Sequence, residues 1–189
     1  MRVFLLSVAL VLSVGCAKAP PTTPEVPSSS AATAQRAASS ESISAAVVPI
    51  PTLQGRVNDF ANILTPQERA ELSSQLATYE RETTHQIAIL TVATLHGEPI
   101  ESFSLRVANS WKLGQKGVDN GVLVTMVLQD HKARIELGKG LSRFVSDATA
   151  ADIMNGLMVP EFRLKHYGKG IQRGVERLMD ACRAYNVQR

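Results

Sequence analysis

The sequence has little of the material from which most catalytic and metal sites are built. Its 189 residues include two cysteines, four histidines and one tryptophan. No nucleophile elbow, Walker loop or histidine-rich metal motif is present. The net charge is only +3, and the basic residues do not interleave with aromatic ones. We therefore expect no nucleic-acid partner.

An apolar run long enough to cross a membrane is also missing. The run over residues 3–12 follows Arg2 and is too short to span a bilayer. This pattern predicts a signal peptide over residues 1–15. The run leads to Cys16 in a context that resembles the lipobox of bacterial lipoproteins, although Ser13 stands where that pattern prefers leucine. The alternative is an ordinary secretory signal in which the cysteine is incidental.

The lipobox resemblance implies that Cys16 becomes an acylated N-terminus, which anchors the chain to a lipid membrane. Because Ala17 follows it and not aspartate, the resemblance also implies the bacterial cell envelope, with the chain facing the periplasm from the outer membrane. Residues 16–54 are rich in alanine, proline, serine and threonine, which predicts a flexible stalk. Cys182 then has no disulfide partner, and its place in an apolar helical stripe predicts a buried thiol.

Residues 55–189 have the length and composition of one globular domain. Thr65, Pro66 and Glu68 form a strong helix start, because they supply a cap, a first-turn proline and an acidic residue three places after the cap. Periodicity predicts strands over residues 86–92, 121–129 and 132–138, and further helices over residues 99–114, 147–159 and 168–189, with Pro160 ending the third helix. This alternation predicts an α/β fold with a mixed sheet.

Four polar residues stand at the ends of these elements. Asp59 precedes the first helix, Asp119 and Asn120 lie at the start of the central strand, and Asp147 begins the third helix. Carboxylate and amide oxygens from several loops are the ligands that calcium prefers, so the four residues predict a divalent-cation site. The structural alternative is that Asp59 and Asp147 cap helices while Asp119 and Asn120 form a turn.

Five sequence blocks together resemble the TPM domain, a family that includes plant thylakoid phosphatase-like and photosystem-repair proteins and many anchored or secreted bacterial proteins. The blocks are RVNDFANILTPQERAEL, QIAILTV, SWKLGQKGVDNGVLV, RIELGKGL and VPEFRLKHYGKGIQRGV, spread from about Gly55 to Asp180. The residues that match the family pattern one by one are Trp111, Gly114, Gly117, Asp119, Asn120, Gly121, Arg134, Gly138, Gly140, Asp147, Pro160, Phe162, Tyr167 and Gly170. Thr84 and Arg143 depart from it, because the family has glycine at both places.

The resemblance implies a three-layer α/β/α sandwich with a central mixed β-sheet and a shallow site at the sheet edge. It implies divalent-cation binding in some members, weak acid phosphatase activity in some plant members, and partner binding in membrane-protein maintenance in others. We expect a membrane-tethered interaction or maintenance module with an envelope or membrane protein partner and bound Ca²⁺. The alternative is a metal-assisted acid phosphatase, with Arg134 and Lys139 as a phosphate clamp and His131 as the acid.

Overall fold

The computed structural model describes residues 47–187, with side chains up to Arg183. Cys16, the predicted signal peptide and most of the predicted stalk lie outside the described residues. The elements are β1 (Val57–Asp59), α1 (Pro66–Thr83), β2 (Gln86–Val92), α2 (Ile100–Trp111), β3 (Gly121–Val127), β4 (Lys132–Leu137), α3 (Asp147–Ile153), a π-helical turn (Met154–Met158), α4 (Val159–Arg163) and α5 (Tyr167–Val187). In this part of the chain no helix is both long enough and apolar enough to cross a membrane.

The strands form one mixed sheet in the order β1-β2-β3-β4. The first three strands are parallel, and β4 returns antiparallel to β3. Every residue of β3 is buried, which is expected of a strand that has helices on both faces. The sequence did not predict β1, because its three residues are too few to show a periodic pattern.

Helices cover both faces of the sheet and create two separate cores. On one face, side chains of α1 and α5 such as Leu76 and Leu178 pack with Ile89 and Val124 of the strands. On the other face, α2 packs Phe103 and Val107 against the sheet. The predicted three-layer α/β/α sandwich with a central mixed sheet is therefore confirmed.

Cys182 faces the core from α5 and is fully buried. Burial raises the pKa of its thiol to about 12. The thiolate is the reactive form of cysteine, so a thiol with such a pKa is inert at neutral pH. The prediction of a buried, unreactive cysteine is confirmed.

The helix starts follow the capping chemistry that the sequence predicted. The Thr65 hydroxyl accepts the backbone N–H of Glu68, and the Glu68 carboxylate accepts the backbone N–H of Thr65. Pro66 occupies the first helical position of α1. This reciprocal box satisfies N–H groups that have no partner within the helix.

The prediction that Pro160 ends the third helical segment is wrong. Residues 154–158 form a π-helical turn between α3 and α4, and Pro160 lies in the first turn of α4. Proline has no N–H to donate, and the π-helical turn before it shifts the backbone bonds, since the N–H of Val159 donates to the carbonyl of Met154. The helical path consequently extends to Arg163.

Packing of the domain begins before the predicted boundary at residue 55. The backbone N–H of Val48 donates to Glu98, and its carbonyl accepts from Arg106. The Trp111 indole N–H donates to the carbonyl of Pro51, 2.9 Å away. Val48 and Ile50 also pack against the α2 core. The last residues of the predicted stalk are thus held against α2.

Candidate functional site

The sheet register separates the aspartates that were predicted to share one metal site. Asp59 ends β1 and pairs with Thr91 of β2. Asp119 precedes β3, whose first residue Gly121 pairs with Gln86 at the start of β2. Because β1, β2 and β3 are parallel, Asp59 lies at the carboxyl edge of these strands and Asp119 at their amino edge. The structure does not bring the two carboxylates together.

The Asp59 carboxylate is buried and fully occupied by protein donors. Oδ1 accepts the Thr91 hydroxyl at 2.5 Å and the backbone N–H of Ile63 at 3.1 Å. Oδ2 accepts the backbone N–H of Leu64 at 3.0 Å, and Arg69 approaches it at 4.0 Å. These bonds tie β1, β2 and the loop before α1 together. Asp59 therefore serves as a hydrogen-bond acceptor within the fold, and its carboxylate is not open to a metal ion.

Asn120 is also fully buried and acts within the backbone network of the amino edge. Its side-chain carbonyl accepts the backbone N–H of Gln115 at 2.8 Å, and its amide donates to the carbonyl of Thr84 at 2.9 Å. The Asn120 backbone carbonyl accepts from Gln86. Asn120 therefore joins the loop before β3 to the end of α1, and its side-chain oxygen faces a protein donor.

Asp119 is presented at the surface by a tight turn. Its side chain is exposed and its φ is +53°, a left-handed conformation that aspartate tolerates better than most residues. Its backbone carbonyl accepts the N–H of Gly140. A Cβ on Gly138 would overlap that carbonyl, and one on Gly140 would overlap the carbonyl of Val118. The glycines after β4 thus permit the close backbone approach that holds Asp119 in place.

Asp119 lines a cavity of about 310 Å³ between α2 and β4. We call this cavity the α2–β4 groove; it is lined by Leu105, Ala108, Asn109, Leu113, Asp119, Gly121, Val122, Leu123, Glu136, Leu137, Gly138 and Lys139. Its surface is polar and apolar in about equal parts, and its charged lining side chains are Asp119, Glu136 and Lys139. Leu105, a large aliphatic side chain among the lining residues, is 53% exposed.

Asp147 is exposed at the start of α3 but does not cap it. The cap is Ser146, whose hydroxyl accepts the backbone N–H of Thr149 at 3.1 Å. The negative charge of Asp147 contributes, as a minor cause, to the raised pKa of Arg134. Asp147 suits the first turn of a helix, where carboxylates are favoured by the helix dipole.

The predicted phosphate clamp is divided between two environments. Arg134 Nε donates to Glu136, and this hydrogen bond is the largest cause of the raised pKa of Arg134. Glu136 also accepts the Ser104 hydroxyl at 2.8 Å. Lys139 lines the α2–β4 groove, whereas Arg134 does not. His131, the predicted acid, lies in the turn at the far end of β4 from Lys139.

Among the residues whose side chains the structure describes, no group of three histidine, cysteine, aspartate or glutamate side chains is arranged to hold a metal ion. The sequence did not predict the α2–β4 groove. The one signal for it was Leu105, which lies off the apolar stripe of α2 formed by Ile100, Phe103 and Val107.

The fold and the site define a small α/β/α domain with a surface groove at its edge strand. Structures of three bacterial proteins are similar to it. The N-terminal domain of a protein from P. gingivalis has 27% identity and a TM-score of 0.62, covering 66% of this chain and 80% of its own. Protein BA42 from Bizionia argentinensis has 22% identity and a TM-score of 0.58, covering 65% and 83%. The N-terminal domain of cg2496 from Corynebacterium glutamicum has 12% identity and a TM-score of 0.54, covering 72% and 86%.

The family model of the TPM domain matches residues 57–181, more than half of the chain. The chain belongs to the TPM domain family, as its sequence blocks predicted. No curated protein matches the chain significantly.

Proposed function

We propose that this protein is a membrane-tethered interaction module of the bacterial cell envelope. Acylated Cys16 and the stalk would hold the TPM domain at the membrane. The domain would bind an envelope or membrane protein through the α2–β4 groove. The observation that carries this proposal is a groove whose lining combines apolar residues, among them the exposed Leu105, with charged side chains of both signs.

The groove has the composition of a site for a short segment of a partner protein. Apolar lining residues supply binding free energy, and charged groups select the partner and its orientation. Asp119 and Lys139 place both signs of charge at the rim. Among the described strands, β4 is at the end of the sheet order, so a partner segment could also pair with its outer edge.

The separation of the predicted catalytic groups favours the interaction module over the phosphatase. Metal-assisted phosphate transfer needs a metal, a nucleophile and an acid around one phosphorus atom. His131 and Lys139 flank opposite ends of β4, and Arg134 is engaged by Glu136. Phosphatase activity stays an alternative prediction, which hydrolysis of a generic phosphate ester in calcium and in chelator would test.

Calcium binding is a separate part of the proposal and rests mainly on Asp119. Its carboxylate is exposed in the groove, where the Glu136 carboxylate and the Asn109 amide also line the cavity. Calcium accepts such oxygens in loose geometry. Saturating calcium should raise the melting temperature of the wild type, and Asp119→Ala should abolish the rise while Asp147→Ala retains it. An identical wild-type melting temperature in millimolar calcium and in chelator would contradict this part.

The interaction function is tested by quantitative purification of the tagged full chain from envelope extracts. Lys139→Glu reverses a charge in the groove, and Arg177→Glu makes the same change on the exposed side of α5. At least one envelope protein should be depleted several-fold with Lys139→Glu and retained with Arg177→Glu. Both variants must melt like the wild type. If every co-purifying protein responds equally to the two variants, the groove is not the binding surface.

A further inference from the structure

A second cavity lies at the opposite end of the sheet from the α2–β4 groove. It has a volume of about 470 Å³ and lies between the β3–β4 turn and the end of α4. Its floor is apolar and includes Met126, Leu128, Val159 and Phe162. This volume is within the range of pockets that hold small molecules.

The rim of this cavity is basic. Lys132, Arg163 and Lys165 line it and are exposed, and His131 stands beside them. No aspartate or glutamate is among its lining residues. Three cations at the mouth of one apolar cavity create a positive potential that attracts anions. We name this site the basic-rimmed cavity.

These cations are not neutralised by nearby acidic residues. Among the residues whose side chains are described, Lys132, Arg163 and Lys165 make no salt bridge within 4.0 Å. Glu101 lines a neighbouring cavity together with Lys132 and lies 4.0 Å from Arg134. The carboxylates next to the cations in the chain are engaged elsewhere. Asp130 accepts from Thr94 and Leu95, and Glu161 pairs with cations of α5.

An exposed apolar residue lies in the same segment as two of these cations, although it does not line the cavity. Leu164 stands between Arg163 and Lys165 in the chain and is 64% exposed. The cavity itself combines apolar lining residues with exposed cations, and this combination suits a ligand that has an apolar part and an anionic part.

We propose that the basic-rimmed cavity binds an anionic amphiphile of the lipid class. Its apolar chain would occupy the floor formed by Met126, Val159 and Phe162. Its phosphate or carboxylate head would bind Lys132, Arg163 and Lys165. The source is a free single-chain lipid or a phospholipid within a bilayer, which share this chemistry. This site is separate from the α2–β4 groove, since the two cavities have no lining residue in common.

The test is calorimetric titration of the full chain, with Cys16→Ser to prevent acylation, using octyl phosphate below its micellar concentration. Octyl glucoside supplies the same chain without the charge, and inorganic phosphate supplies the charge without the chain. We expect octyl phosphate to bind at least tenfold more tightly than either. Equal binding of inorganic phosphate, or no binding of octyl phosphate, would overturn the proposal.

Matched variants locate the site. The double variant Lys132→Glu/Lys165→Glu should weaken octyl phosphate binding at least tenfold, whereas Lys116→Glu/Arg177→Glu makes the same change in net charge away from the cavity and should not. Ala133→Phe, which fills the cavity, should also abolish binding. The double variants keep the test valid if Ala133→Phe does not fold. If both double variants lose octyl phosphate binding equally, the ligand is attracted only by the net charge of the protein, and the proposed site is wrong.

Vesicles distinguish the source of the ligand. The ligand is a bilayer lipid if the protein binds octyl phosphate and also co-sediments with phosphatidylglycerol vesicles. Lys132→Glu/Lys165→Glu should then abolish the co-sedimentation. Octyl phosphate binding without co-sedimentation would make the ligand a free amphiphile. Co-sedimentation without any octyl phosphate binding would overturn the cavity as the site.

Discussion

Asp59 and Asp119 show how the same side chain serves different purposes at the two ends of one sheet. The Asp59 carboxylate is buried among two backbone N–H groups and a hydroxyl, and these bonds hold the entry to α1. Asp119 is exposed on a left-handed turn and lines a groove. Both were predicted as metal ligands from their position at element ends. In the folded chain, neighbouring donors make Asp59 a structural hydrogen-bond acceptor, whereas Asp119 stays accessible.

Asp59→Asn should destabilise the fold by about 1–3 kcal/mol, because an amide offers one acceptor oxygen where the carboxylate offers two and so leaves a buried N–H unpaired. Denaturant unfolding in calcium and in chelator measures the loss, and we expect it to be equal in both. The exposed Asp147→Asn is the control and should change stability by less than about 0.5 kcal/mol. A loss confined to calcium-containing buffer would instead make Asp59 a metal ligand.

His85 is the buried group whose titration should be visible in stability. It is fully buried, its Nδ1 lies 3.0 Å from the Tyr79 hydroxyl, and burial lowers its pKa. In the unfolded chain the histidine binds a proton at about pH 6.5, whereas in the folded chain it binds the proton only at a lower pH. Stability contributed by neutral His85 is present above this value and is lost as the pH falls below it.

Melting temperatures measured from pH 7 to pH 5 test this account. The wild type should lose stability over this interval, and His85→Gln should lose less, because glutamine does not titrate. The exposed His96→Gln should retain the wild-type slope. Parallel curves for wild type and His85→Gln would mean that another group controls the pH dependence.

At the scale of elements, strong periodic patterns predicted most of the fold. The strand over residues 86–92 is found at the predicted bounds, and the capping box starts α1 at the predicted residue. Elements set by tertiary context were missed. The strand β1 is three residues long and exists through its pairing with β2, and Pro160 is accommodated because a π-helical turn precedes it.

The candidate site was harder to predict than the fold for the same reason. The unpredicted, parallel β1 puts Asp59 at the edge opposite Asp119. The α2–β4 groove depends on the β3–β4 register and on glycines that approach another backbone closely. Neither the register nor the close approach can be predicted from a local sequence pattern. The turn before β3 can, because its residue types are typical of turns.

The connection between α1 and β2 contains a residue that departs from the family pattern. Thr84 replaces the expected glycine and has φ +63°. A left-handed conformation is costly for a β-branched residue. Thr84→Gly should therefore stabilise the domain by about 0.5–1 kcal/mol, since the main bond from Asn120 is to the backbone carbonyl and remains.

Urea unfolding of Thr84→Gly measures this gain. The control is Ser74→Gly on the exposed side of α1, which should destabilise because glycine is unfavourable in a helix interior. If Thr84→Gly lowers stability, the weaker bond to the Thr84 hydroxyl at 3.3 Å matters more than the backbone conformation.

At the scale of the whole molecule, the TPM domain follows a predicted membrane anchor, which lies outside the described residues. The anchor prediction rests on the apolar run and Cys16. Wild-type protein should incorporate radioactive palmitate and partition into detergent, because several acyl chains give stable attachment. Cys16→Ala should do neither. Equal labelling of both forms would leave the tether without support.

The central claim is that the domain binds a protein partner through the α2–β4 groove. Site-specific photo-crosslinking in living cells tests it most directly, with a benzophenone amino acid replacing Leu105 in the groove or Glu71 on the exposed side of α1. We predict a discrete crosslinked envelope protein from position 105, absent from position 71 and reduced several-fold by Lys139→Glu. The same adducts from both positions, or none from position 105 in a folded domain, would contradict the claim.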